Sequence, residues 1–301
     1  MNGKASKLKR YLPLYLMFLP GGLYLLINNY IPMGGLIVAF KQYNVRNGIF
    51  GSKWIGLKNF KFLFQTPDAF VITRNTILYN VAFIIINTIL GIAFAIFICD
   101  AISKRLKKVY QSAILFPYLM SAVILGYIVF AFCSQSNGIL NKSILSTPVS
   151  WYSSPQYWPF ILIFVNTWKG VGYGCLIYVS AINGIDPGLF EAASLDGASK
   201  WQQIRAITLP ELVPTIITLT LMSVGRIFYS DFGLFYQVPR NSGAIYATTN
   251  VIDTYVYRSL MDQANYGMAS AAGFYQSIIG FILVLTANLT VRKISRENAL
   301  F

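Results

Sequence analysis

Long apolar runs, each bounded by polar or basic residues, follow one another along most of the chain. Each run is close to the roughly 20 residues that a helix needs to cross a bilayer. The runs lie at about 12–40, 76–99, 109–132, 158–182, 212–230 and 268–291. Inside a bilayer, only helices and closed barrels satisfy all the hydrogen-bonding groups of the backbone. The pattern therefore predicts an all-α integral membrane protein with six transmembrane helices. We expect the first helix to be broken near Pro32 and Gly34-Gly35.

One polar stretch, residues 184–211, separates the fourth run from the fifth. Asp186 is a good N-cap, and Pro187 suits the first helical position, so a short helix is predicted to about Leu195. Gly197 then tolerates the positive φ that often follows a helix end.

A second short helix is predicted after this glycine. Ser199 and Gln202 have the spacing of a capping box, which starts a helix. Pro210 marks its expected end or a kink into the next span. The stretch therefore has the form helix, Gly corner, helix.

The same stretch contains Glu-Ala-Ala, three residues, Gly, nine residues and Ile-x-Leu-Pro. This spaced set resembles the cytoplasmic coupling loop of ABC importer permeases of the sugar and oligosaccharide type. The residues assigned to the loop are Glu191, Ala192, Ala193, Asp196, Gly197, Ile207, Leu209 and Pro210. The resemblance implies that the loop docks into a cleft on a separate ATPase subunit and moves the membrane helices. The alternative is an interfacial helix pair without a partner.

Composition narrows the function classes. The 301 residues have a net charge of +14, and only 11% of them are charged, against about 25% in soluble domains. With no histidine, imidazole metal sites and histidine acid–base catalysis are excluded. Cys99, Cys133 and Cys175 lie in or beside apolar runs, so we interpret them as small buried residues. No P-loop pattern occurs, so no cofactor is expected on this chain. The resemblance implies that ATP and Mg²⁺ bind to partner ATPase subunits.

Basic residues orient the six spans. With both termini in the cytoplasm, thirteen Lys and Arg fall inside and nine outside, as the positive-inside rule favours. The expected organisation is an N-tail at 1–11, a permease domain at 12–292 and a C-tail at 293–301, whose basic residues include Arg296. The resemblance places the protein in a bacterial cell membrane.

Polar residues inside the fourth span suggest where a solute would pass. Asn166, Gly170 and Tyr173 are four and three residues apart, so they share one helix face. They match positions that line the sugar site in permeases similar to the maltose importer's membrane subunit. A helix–helix contact between small residues is the alternative. We assign no role to Lys169, although it could snorkel to the surface.

The fifth span supplies a second polar group. Ser223, Arg226 and Ser230 have helical spacing and align with sugar-lining positions of the family. The guanidinium of Arg226 could bind a carboxylate or sugar hydroxyls. The alternative is an ion pair with Asp231.

The resemblance implies a full set of partners. These are two copies of an ATP-binding subunit, a second and non-identical permease, an extracellular solute-binding protein, a sugar or oligosaccharide, and the bilayer, with no nucleic acid. Residues 231–263 resemble the outer loop on which the binding protein docks, with a solvated connector as the alternative. The segments 30–33 and 39–43 also look like the start of permeases for complex oligosaccharides.

Three other functions compete with this one. An ion-coupled secondary transporter would need carboxylates within the spans, and none of the ten acidic residues is placed there. An intramembrane enzyme would need catalytic pairs, which the spans lack. An ABC permease for a solute other than a sugar remains open.

Overall fold

The structure is a computed structural model that describes residues 2–101 and 103–294. Residues 295–301 of the predicted C-tail, including Arg296, lie outside the described residues. The α-helices are α1 (Asn2–Leu25), α2 (Ile31–Met33), α3 (Gly48–Gly51), α4 (Phe62–Gln65), α5 (Pro67–Cys99), α6 (Lys104–Leu115), α7 (Ala122–Cys133), α8 (Trp158–Asn183), α9 (Pro187–Leu195), α10 (Lys200–Gln203), α11 (Leu209–Val224), α12 (Phe232–Gln237), α13 (Tyr246–Thr249), α14 (Ile252–Gln263) and α15 (Tyr266–Ile294). Two short antiparallel strands, β1 (Lys41–Gln42) and β2 (Lys53–Trp54), pair Lys41 with Trp54.

Five helical stretches of the described residues are long and apolar enough to cross a membrane. The bent pair α6–α7 makes a sixth if it counts as one span. The all-α integral membrane class predicted from the sequence is confirmed. The division into N-tail, permease domain and C-tail stays a prediction.

The chain forms two compact units, of which the first is Met1–Thr66 with Val256–Tyr275. Phe40 stacks on Trp54 with ring centroids 5.6 Å apart and meets Phe274 edge-on at 5.3 Å. The amide of Asn59 donates to the carbonyl oxygens of Ala39 and Lys41, both at 2.9 Å. From residue 11 to residue 33 nearly every side chain is exposed, as expected of an apolar helix that faces lipid or another chain.

The second unit is Pro67–Tyr255 with Gln276–Phe301, and it is built on the long helices α5 and α8. One buried cluster joins the first halves of these helices to α7 and α12, with Trp158, Leu162 and Leu234 almost fully buried. Another joins their second halves to α11, around Cys175 and Leu212. The two clusters leave a polar stretch of α5 and α8 between them.

The structure corrects the predicted course of two spans. The third run is not one straight helix, because α6 and α7 meet at 93° across a 3₁₀ turn at Phe116–Leu119. The first run is not broken near Pro32 or Gly34-Gly35, because residues Tyr11–Phe40 form one continuous helical stretch. Along this stretch the winding changes to a π turn at Leu26–Tyr30 and to a 3₁₀ helix at Gly34–Phe40. The bend lies at Met120 and Ser121, whose extended backbone separates the helical stretch Lys104–Leu119 from α7.

Candidate functional site

A cavity of about 640 Å³ lies in the second unit against α5, α8 and the end of α11. Its size is typical of small-molecule sites. All six residues predicted for the solute path line it, namely Asn166, Gly170, Tyr173, Ser223, Arg226 and Ser230. The structure therefore brings the two predicted polar groups together, and their role in transport stays a prediction.

Two asparagines from different helices face each other in the cavity. The Asn87 amide on α5 donates to Asn166 Oδ1 on α8 at 2.9 Å. Asn87 Oδ1 is buried and has no hydrogen-bond partner in the described part of the chain. Because a buried acceptor without a partner is costly, this oxygen is a natural acceptor for a ligand hydroxyl.

An aromatic pair adds an apolar surface. Tyr173, 53% exposed, stacks on Tyr118 with centroids 5.1 Å apart and planes 16° from parallel. Tyr118 belongs to the 3₁₀ turn between α6 and α7, so the bend places this ring beside α8. An exposed aromatic face at a cavity wall suits a sugar ring, which has an apolar face of its own.

The glycines of α8 have two different roles. A Cβ on Gly170 would lie 3.8 Å from the Asn87 amide, an ordinary contact, so this glycine leaves room beside the asparagine pair. A Cβ on Gly172 would lie 2.0 Å from the carbonyl oxygen of Ile114. Gly172 thus allows α6 to pack directly on the backbone of α8, as small residues do in membrane helices.

Charge in the cavity is unevenly paired. Lys169 Nζ lies 3.8 Å from Asp231 Oδ2, with the side chains 21% and 43% exposed. The ion pair between Arg226 and Asp231, considered above as an alternative, is not formed, because the Asp231 carboxylate pairs with Lys169 instead. The Arg226 guanidinium makes no hydrogen bond or ion pair with any described residue. Arg226 is therefore the one cation of the cavity lining, and it has no ion-pair partner among the described residues.

The fifth span ends earlier than predicted. α11 stops at Val224, and residues 225–230 form a non-helical break. Ser223, Arg226 and Ser230 therefore do not share a helix face, although all three line the cavity. Non-helical backbone at membrane depth is tolerated where it lines a cavity.

Sequence reasoning missed several lining residues. Asn80 and Asn87 are polar residues of the largely apolar α5, seven positions apart and so on one helix face. This seven-residue spacing was the signal in the sequence that could have identified the two asparagines as lining residues. Tyr229 also lines the cavity, and its hydroxyl lies 2.8 Å from Ser277 Oγ.

The polar stretch 184–211 begins as predicted. Asp186 caps α9 by accepting from the N–H of Gly188 at 2.9 Å. The N–H of Ala198 donates to the Ala193 carbonyl, and that of Gly197 donates to Ser194. These two bonds form a Schellman motif, and Gly197 has the φ of 78° that the motif requires.

The second helix begins as predicted but does not end at Pro210. Ser199 and Gln202 form a capping box. α10 then continues through a π turn, Ile204–Thr208, directly into α11, so Lys200–Val224 is one helical stretch. Pro210 lies at the start of α11 and does not interrupt it.

Side-chain contacts fix the corner, while its tip faces outward. Gln203, 6% exposed, donates to Ser194 Oγ at 2.9 Å, and Lys200 pairs with Asp100 at 3.2 Å. Leu195 is 89% exposed and Trp201 is 69% exposed. Among the predicted loop residues, Glu191, Ala192, Asp196, Gly197 and Pro210 are exposed, whereas Ala193, Ile207 and Leu209 are half-buried.

The segment after the break is not a solvated connector. Leu234, Phe235, Val238 and Ile245 are buried in the cluster with α7 and α8. Arg240 lies over the ring of Phe130 at 4.0 Å. Residues 234–252 of the segment are thus packed in the second unit, and docking of a binding protein on the segment stays a prediction.

The cysteines and acidic residues provide no metal site. Cys133 and Cys175 are buried, Cys99 is half-buried, and all three are free thiols. No group of three or more metal-ligating side chains occurs among the described residues.

Comparison with known proteins identifies the family. Residues 74–296 match the family described as "Binding-protein-dependent transport system inner membrane component". The chain belongs to this family. It is therefore a membrane permease subunit of an ABC importer and not an enzyme, which sets aside the ion-coupled transporter considered above.

Relatives of this permease family match the chain over nearly its whole length. Protein LplB of Bacillus subtilis (strain 168) is 31% identical over 97% of this chain and 92% of its own. The polygalacturonan/rhamnogalacturonan transport system permease protein YteP of the same organism is 31% identical over 95% and 89%. The trehalose/maltose transport system permease protein MalF of Thermococcus litoralis (strain ATCC 51850 / DSM 5473 / JCM 8560 / NS-C) is 29% identical over 98% of both chains.

Solved structures agree with this family assignment. A chain of a bacterial ABC transporter involved in the import of the acidic polysaccharide alginate is 34% identical, with a TM-score of 0.87 over 96% of this chain and 98% of its own. A second structure is that transporter type in complex with an alginate pentasaccharide-bound periplasmic protein, again with a TM-score of 0.87.

Proposed function

We propose that this permease moves an acidic oligosaccharide, delivered by an extracellular solute-binding protein, through the cavity against α5 and α8. The observation that carries the proposal is the unpaired Arg226 guanidinium in a wall of amides, hydroxyls and tyrosine rings. Relatives named for polygalacturonan and for alginate support the same solute class.

Different cavity residues are proposed to recognise different chemical groups of the solute. Asn87 and Asn166 offer an unused acceptor and an amide for sugar hydroxyls. Tyr173 offers a ring face, and Arg226 offers a planar fork for a carboxylate. Since Lys169 and Asp231 compensate each other, Arg226 supplies the net charge that favours an anionic solute.

Uptake assays with matched solutes test this proposal. Cells that carry the wild-type transporter should take up trigalacturonate in preference to neutral maltotriose. Arg226→Gln should raise the KM for trigalacturonate by about tenfold or more, the effect of losing a charge-assisted hydrogen bond. Arg74→Gln is the matched control, because Arg74 does not line the cavity and donates to Asn75 instead. Equal uptake of both sugars by the wild type would reject an acidic solute.

The coupling loop defines the proposed partners. We infer that Glu191, Asp196 and the exposed tip around Leu195 dock on an ATPase subunit in the cytoplasm, and that a second permease completes the path. Tagged protein purified in mild detergent should retain an ATPase and a second permease. Gly197→Asp should lose the ATPase, because an aspartate side chain strains the φ of 78° at the docking corner. Recovery of the wild-type chain alone would contradict this assembly.

A further inference from the structure

The break after α11 is held by side chains from three other helices. Just beyond Val224 the backbone makes short turn bonds, such as the one from the Tyr229 N–H to the Arg226 carbonyl at 2.8 Å. The carbonyls of residues 227–229 therefore lie outside a regular helical ladder. In a membrane protein such groups need partners, because no bulk water satisfies them.

Two amides supply those partners. Asn80 Nδ2 on α5 donates to the carbonyls of Ile227 at 2.9 Å and Tyr229 at 3.1 Å. Gln276 Nε2 on α15 donates to the Phe228 carbonyl at 2.6 Å. Each of these three carbonyls, which lie outside the helical hydrogen-bond pattern, thus accepts a hydrogen bond from a side chain of a neighbouring helix.

A carboxylate closes the arrangement. Asp253 Oδ2, in the first turn of α14, accepts the N–H of Ser230 at 2.7 Å. Gln276 Nε2 also lies 3.4 Å from both oxygens of Asp253. Gln276 is 4% exposed, and neither it nor Asp253 lines the cavity.

We propose that Asp253 and Gln276 are positioning residues for solute recognition, which hold residues 225–231 so that Arg226 and Ser230 face the cavity. The identity of the solute rests on the proposed function. The positioning of residues 225–231 rests only on the hydrogen bonds described above. The two residues act on solute affinity through the break, without touching the solute.

A role in stability alone does not account for a carboxylate at this place. Burial raises the pKa of Asp253, and the hydrogen bonds from Ser230 and Gln276 offset that effect only in part. The ionised group is therefore less favourable here than in water. An ionised acceptor nevertheless holds the Ser230 N–H more firmly than a neutral one.

Cysteine labelling tests the geometry without any solute. In a chain with Cys99, Cys133 and Cys175 replaced by alanine, reporters are introduced as Ser230→Cys and, separately, Ser223→Cys. Gln276→Leu should change the rate of maleimide labelling at the Ser230 reporter by about fivefold, as the loss of a backbone hydrogen bond predicts. The Ser223 reporter should be unaffected, because Ser223 lies within α11. Equal changes at both reporters, or none, would overturn the proposal.

Uptake kinetics test the consequence for recognition. Asp253→Ala and Gln276→Leu should each raise the KM for trigalacturonate by about tenfold with little change in Vmax. Asp253→Asn, which keeps an oxygen acceptor, should recover most of the affinity. Asn141→Ala is the matched control, since Asn141 makes an equally dense set of buried hydrogen bonds to residues 135–151 away from the cavity. A fall in Vmax alone, shared with Asn141→Ala, would reduce the two residues to a structural role.

The labelling and uptake experiments together test the positioning role separately from the proposed class of solute. A wild-type chain that takes up no trigalacturonate, combined with a selective change at the Ser230 reporter, supports the positioning role and rejects the solute class. Normal uptake with unchanged KM in both variants overturns the positioning role and leaves the solute class intact.

Discussion

Replacing Gly172 by alanine should destabilise the protein through one contact between α6 and α8. The added methyl would lie 2.0 Å from the Ile114 carbonyl oxygen and 3.1 Å from the Leu115 Cα. An ordinary contact needs about 3.5 Å, so the helices would have to separate by roughly 1.5 Å. Because the neighbouring atoms are backbone, they have no rotamer with which to move away.

The expected cost is near the upper end of the range for overpacking, about 3 kcal/mol. For a chain of this size, the melting temperature should fall by roughly 5 °C. Thermal unfolding of purified protein in detergent, followed by a thiol-reactive dye, measures the change. The buried thiols Cys133 and Cys175 react as the helices separate.

Gly174→Ala is the control for this experiment. Gly174 lies two residues along the same helix, and a Cβ there would meet nothing within 4 Å. Alanine in a helix interior is favoured over glycine by about 0.5–1 kcal/mol, so this variant should melt slightly above the wild type. If Gly172→Ala also melts at or above the wild type, the close approach of α6 to α8 is refuted.

Three further predictions concern single residues. Gly197→Ala should cost about 1–2 kcal/mol, because alanine is strained at a φ of 78°, and the loss should appear as a lower melting temperature beside an unchanged Gly184→Ala control. Since the pKa of Asp253 is raised, the folded state binds its proton more tightly, so stability should fall as the pH rises from about 4 through the raised pKa. Asp253→Asn should reduce that fall, and parallel melting curves of both proteins across this pH range would contradict the sign. Lys169→Gln should change stability by less than about 1 kcal/mol, because its pair with Asp231 is partly exposed and 3.8 Å long, and a large loss in a denaturation assay would show a stronger interaction.

The polar stretch 184–211 was the part most predictable from sequence, because its signals are local. Asp186, Gly197 and the capping box at Ser199 act on backbone groups within five residues of themselves. Capping signals of this kind do not depend on the tertiary context. The end assigned to Pro210 was wrong because a π turn before it accommodates the missing N–H.

The candidate cavity was only half predictable. Asn166, Gly170 and Tyr173 lie on one regular helix, so their spacing gives their common face. The break after Val224 depends on Asn80, Gln276 and Asp253, which are distant in sequence. No local pattern of the fifth run reports such partners, so helical spacing was wrongly extended to Ser230.

The bend and the buried outer segment were missed for different reasons. The signal for the bend was Ser121, which caps α7 by accepting from the N–H of Ile124, and hydropathy alone conceals it. The burial of Val238 and Ile245 depends on packing against α7 and α8, and single apolar residues between polar ones do not reveal a distant partner.

The continuous helical stretch Lys200–Val224 begins just after the corner at Gly197, so the corner lies at one end of a long lever. At 1.5 Å per residue its 25 residues extend about 37 Å. A tilt of about 10° at the corner would carry the far end sideways by roughly 6 Å over that length. Ser223 stands at that far end, on the cavity wall. A small rotation imposed on the exposed corner is therefore amplified into a displacement as large as a sugar ring.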